Sequence, residues 1–144
     1  MAELKERTIE KEFVSYEIAL ALKELGFEEP CFGFYGLSRD DYKTIRLSIF
    51  QNLKTDYLPD IHHLDVTCDA PLYQQAFRFF REKYDFVSEI NVYSTSDGYS
   101  FSFKILCKKY TPYIEANNAW ILYEDAELAC IRKLIEIAKE QNAK

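Results

Sequence analysis

The sequence predicts an α+β fold: a two-layer domain in which an antiparallel sheet of about four strands carries three helices, in the order α-β-β-α-β-β-α. Three observations lead there. Apolar residues recur at helical spacing in three separate stretches, and residues 43–50 alternate strictly between apolar and polar. An Asp97-Gly98 pair is flanked by two alternating runs whose apolar residues match across the turn.

The first helix is marked at both ends. Ser15 is its N-cap, Glu17 sits in the first turn where the helix dipole favours an anion, and Ile18, Ala21, Leu22 and Leu25 form the apolar stripe. Gly26 supplies a left-handed residue after it, and Phe27 closes a Schellman ending against Leu22. Residues 31–35 then alternate as a strand, 36–42 read as a turn, and 43–50 form a half-buried antiparallel strand with Ile45, Leu47 and Ile49 on one face. Residues 51–69 carry only the short alternation of Leu64 and Val66, which fits an edge strand or an ordered loop.

A second helix starts near Pro71 with Asp69 or Ala70 as its cap. Leu72, Tyr73, Ala76, Phe77, Phe80 and Tyr84 share one broad face, which Phe79 widens. If Asp97-Gly98 is a two-residue turn, Ser96 pairs with Tyr99, Ser94 with Phe101, Val92 with Phe103 and Ile90 with Ile105, so the apolar residues share a face. Residues 107–122 read as a connection, and the last helix runs from about Tyr123 to Gln141 with Leu128, Ile131, Leu134, Ile135 and Ala138 as its stripe.

The chain has 144 residues, 48 % apolar, 16 % aromatic and 29 % charged, and it reads as one soluble domain with residues 1–12 as an acidic leader. The net charge of −6 excludes the global basic field of a duplex nucleic-acid binder. Cys31, Cys68, Cys107 and Cys130 stand singly, without zinc-ribbon or thioredoxin spacing, as reduced thiols of a cytoplasmic protein would. No stretch approaches the length of a membrane span, and the N-terminal residues lack the apolar run of a signal peptide.

Three stretches, FVSYEIALALKELGFEEPCFGFYG (13–36), APLYQQAFRFFREKYDF (70–86) and YEDAELACIRKLIEIAKE (123–140), resemble a small uncharacterised protein family of Bacteroidetes phages and mobile elements. The resemblance implies a bacterial or phage origin and an accessory role. No catalytic residue set and no cofactor comes with it.

The residues themselves offer little catalytic chemistry. His62 and His63 are the two histidines, and with Asp65 they are weak candidates for a metal site, since adjacent residues on an extended segment point opposite ways. There is no nucleophile elbow and no glycine-rich phosphate loop, so the chain is read as non-enzymatic and without cofactor. The polar face of the predicted sheet gathers Arg46, Tyr93, Ser102 and Lys104, with Lys108, Lys109 and Tyr110 at the strand end. Cations beside aromatic rings can hold a nucleotide, another small anion or single-stranded nucleic acid through phosphate pairing and base stacking. Phe79 would mark a contact with a protein partner if it faced solvent. The leading expectation is an accessory protein that acts by protein–protein binding, with self-association. The alternative is a protein that binds or sequesters a nucleotide signal in anti-defence.

Overall fold

The computed structural model describes residues 9–49, 64–108, 110–116 and 118–144. Among them stand three helices, α1 (Tyr16–Glu24), α2 (Tyr73–Tyr84) and α3 (Tyr123–Asn142). Six strands accompany them: β1 (Gly33–Ser38), β2 (Ile45–Ile49), β3 (Leu64–Asp69), β4 (Phe86–Thr95), β5 (Gly98–Cys107) and β6 (Tyr110–Glu115). The class is α+β. The single sheet of about four strands is corrected to two antiparallel sheets of three strands, ordered β2-β1-β3 and β4-β5-β6, so the element order gains one strand in each half. Both added strands are short, and one carries Pro112, which cannot donate to a ladder and is confined to edge positions such as β6. The chain divides into two compact units, residues 1–75 and 76–144.

In the first unit the local signals at α1 are realised. The Ser15 side chain accepts from the Ile18 N–H at 3.4 Å. At the other end the Phe27 N–H donates to the Leu22 carbonyl at 2.9 Å and the Gly26 N–H to that of Lys23 at 3.0 Å, with Gly26 at φ 93°. Ile18, Ala19 and Leu22 are buried, Ala19 taking the place expected of Ala21. Four residues ahead of the helix, Ile9–Glu12, form an exposed 3-10 turn. The β1–β2 ladder pairs Gly33 with Ile49 and Leu37 with Ile45. On its other side β1 pairs Tyr35 with Cys68 and Gly36 with Val66, leaving Thr67 as a bulge. The Thr67 hydroxyl donates to the Tyr35 carbonyl at 3.0 Å, and its own carbonyl accepts from Lys23 Nζ at 2.9 Å. The bulge thereby ties β3 to both β1 and α1.

Strand β1 runs three residues further than the alternation of 31–35 suggests, and the turn that follows is organised by Asp41. Its carboxylate accepts from the Lys43 and Thr44 N–H groups, each at 3.0 Å, and from the Thr44 hydroxyl. Those bonds, the Thr44 hydroxyl first, hold its pKa down to about 2 from an ordinary 3.8. A folded-state value below the unfolded one stabilises above about pH 4 and loses that contribution as pH falls toward 2. An NMR titration of the Asp41 carboxyl should therefore show a midpoint near 2. A midpoint close to 4 would contradict the cap.

In the second unit, aromatic rings form the frame. Phe79 meets Phe80 edge-on at 5.4 Å and Tyr84 at 5.9 Å, and Tyr84 stacks on Phe86 at 5.5 Å. Phe80 and Phe86 are fully buried. α2 begins two residues later than its proline suggests, in the last residues of the first unit: Gln75 Oε1 accepts from the Leu72 N–H at 3.0 Å, half of a capping box. The β4–β5 hairpin pairs Thr95 with Gly98, Ser94 with Tyr99, Val92 with Phe101 and Ile90 with Phe103. That register is two residues from the expected one, because the turn is Ser96-Asp97 and Gly98, at φ 136°, opens β5. An even slip keeps every side chain on its expected face. Phe86, Phe103 and Ile105 are buried on one face with Ala126, Cys130, Ile131, Leu134 and Ala138 of α3.

Candidate functional site

The second unit leaves part of its apolar sheet face uncovered, and the geometry shows why. α3 starts beside β5, where Tyr123 meets Phe101 edge-on at 5.7 Å, and ends beside the base of the hairpin, where Asn142 Nδ2 donates to the Tyr84 hydroxyl at 3.0 Å. Between those points the helix shields the face. From the Val92–Phe101 rung to the turn the hairpin runs on for three more residues, roughly 10 Å, with no helix over it. Val92 is 60 % exposed, Tyr99 68 % and Leu122 55 %, with Phe101 half-buried between them. Ile121, 84 % exposed, lies in the segment that leads into α3.

That segment is fastened to the hairpin. Trp120 and Phe101 exchange two backbone hydrogen bonds of 2.7 Å, and the Trp120 ring stacks on Phe103 at 5.7 Å. The charges around the overhang share one sign. Residues 86–103 and 110–131 contain no lysine or arginine, while Asp97 lies in the turn and Glu124 and Asp125 in the first turn of α3, all exposed. Large apolar area ringed by one sign of charge suits recognition of a segment carrying the other.

The residues expected to form a ligand face divide between the two sheets. Arg46 belongs to β2 of the first unit, whereas Tyr93, Ser102 and Lys104 lie on the β4–β5 face turned away from α3. There Tyr93 is exposed, the buried Ser102 hydroxyl donates to the Asn118 carbonyl at 3.3 Å, and Lys104 Nζ sits 3.7 Å from the Tyr113 ring centroid. Lys108 pairs with Asp85 at 3.4 Å. Lys109, His62 and His63 lie outside the described residues, and Tyr110 contributes its backbone to β6. Asp65 is engaged by Arg39 Nε at 2.8 Å. Phe79 is only 6 % exposed, so the solvent-facing condition for a partner contact there is not met; Ala76, Phe77, Phe80 and Tyr84 of the same helix are buried with it.

No protein-family model, curated protein or solved structure matches the chain. Its chemistry is therefore read from its own residues. Burial pushes the Cys130 thiol up to about 12, and burial followed by the nearby Asp69 and Glu29 carboxylates does the same to Cys31. Thiols so raised are poor nucleophiles at neutral pH. Among the described residues no three of His, Cys, Asp and Glu converge as a metal site, and no helix is long and apolar enough to cross a membrane.

Sequence reasoning placed Val92 and Phe101 on the inner face of the hairpin, and there they are; it missed that α3 begins short of the tip. The signal was the AWILY run at 119–123, an apolar cluster that spans the α3 N-cap at Leu122 and overlaps the end of the stretch read as connection, 107–122.

Proposed function

We propose that the protein is a binding module that captures a segment of another protein on the overhanging end of the β4–β5 hairpin. The observation that carries this reading is the uncovered apolar surface formed by Val92, Tyr99 and Leu122 beside the Phe101–Tyr123 ring contact. The segment it suits is apolar and carries lysine or arginine, because Asp97, Glu124 and Asp125 frame the surface without a counter-cation nearby in sequence. The same charges argue against a second copy of the chain there, since a two-fold contact would set carboxylates against carboxylates. A phage or mobile-element setting for this role rests on the residues of 13–36, 70–86 and 123–140 alone.

The test compares the wild-type chain with the triple variant V92S/Y99S/L122S. Both should fold alike, since all three residues are exposed. A partner bound directly by the wild type should be lost from the variant, by about tenfold or more in affinity, and should weaken further as salt is raised. Equal binding by the two proteins, or dimerisation of the wild type abolished by the variant, would overturn the reading.

A further inference from the structure

A second feature of the same unit borders Trp120, close to Leu122 in the chain. Between β6 and α3 runs a cleft of about 670 Å³, within the range of small-molecule sites. Its floor is apolar: Trp120, stacked on the buried Phe103, and Ile114 beside them. Ala129 contributes only a methyl group to the helix wall, which leaves the space open. On that wall Lys133 is tied to Glu136 at 2.7 Å, so those two charges neutralise each other. Arg132 is exposed, and among the described residues no carboxylate pairs with it. Glu115 also borders the cleft, but its register position opposite Lys104 puts its side chain on the far face of the sheet.

We infer that this cleft is a binding site for a small planar aromatic ligand bearing one anionic group, its ring over the Trp120 floor and its anion on the Arg132 guanidinium. A guanidinium fork suits either a carboxylate or a phosphate, and a flat apolar floor suits either an aryl ring or a nucleobase. The cleft shares Trp120 with the segment that leads into α3, but Val92, Tyr99 and Leu122 do not line it.

Trp120 is the single tryptophan of the chain, so intrinsic fluorescence reports on the cleft directly. Two matched pairs of probes separate the sources of the anion: 3-phenylpropionate against its neutral amide, and adenosine monophosphate against adenosine. The full-length protein should bind the anionic member of at least one pair about tenfold more tightly than its neutral partner. Which pair shows the preference identifies the anion. Arg132→Gln, an exposed change on α3, should erase that preference, and Ala129→Leu should weaken every probe by filling the cleft. The inference is overturned if Trp120 fluorescence and the indole N–H resonance stay unchanged up to about 10 mM of all four probes. It is equally overturned if the anionic and neutral members bind alike, or if Arg132→Gln leaves the preference intact.

Discussion

Phe80→Ala will remove about 3–5 kcal/mol of stability, the largest single loss expected in this chain. Phe80 is fully buried and its ring meets those of Phe79 at 5.4 Å and Tyr84 at 6.0 Å, while Tyr84 in turn stacks on Phe86. Truncation removes the transfer energy of a whole phenyl group and leaves a cavity that its aromatic neighbours, already in contact with one another, cannot close by small rotations. Against a total stability of about 5–15 kcal/mol the loss is large, and at this size it corresponds to a drop in Tm of roughly 10–15 °C. Urea unfolding checks it. A loss below about 1 kcal/mol would mean that the ring cluster collapses freely and that Phe80 is not its keystone.

Gly33→Ala will destabilise by about 1–3 kcal/mol although it adds one methyl group. A Cβ built at Gly33 stands 2.7 Å from the Ser48 carbonyl oxygen and 3.3 Å from Cε1 of Phe13. The first of these is backbone, in the ladder where Gly33 pairs with Ile49 and Phe34 with Ser48, so relief requires β2 to move away from β1. Phe13 is itself buried, which closes the other direction. The variant should show earlier thermal unfolding and faster amide exchange in β1 and β2. Unchanged exchange across Phe34, Tyr35 and Leu47 would show that the two strands separate at no cost.

Much of the fold was legible because local and tertiary signals agreed. The cap, stripe and glycine ending of α1 came from short-range chemistry that does not depend on the rest of the chain, and all three are present at Ser15, Leu22 and Gly26. The hairpin was legible as a face and not as a register. Alternation has a period of two, so it cannot distinguish Ser94 opposite Tyr99 from Ser94 opposite Phe101. Strand β3 depended on a bulge at Thr67, which interrupts alternation just where the pattern would have been counted. Strand β6 hides a proline.

The candidate site was less legible, for a different reason. Arg46 and Lys104 looked like members of one face because a single sheet was expected, whereas Arg46 lies in the β2-β1-β3 sheet and Lys104 in the β4-β5-β6 sheet. Side-chain character said which residues could bind an anion. Only topology could say which of them share a sheet. The overhang has the opposite history: Val92, Tyr99 and Leu122 are unremarkable in composition, and their exposure follows from where α3 begins relative to the start of β5.

The two-residue freedom of the hairpin register has an evolutionary consequence. A pair of residues inserted on either side of the Ser96-Asp97 turn would lengthen the arm by roughly 7 Å while every inward side chain stayed inward. The packing between α3 and the lower rungs at Phe86, Phe103 and Ile105 would not register the change. Reach and stability are thus carried by separate lengths of the same two strands, and selection can tune one without disturbing the other.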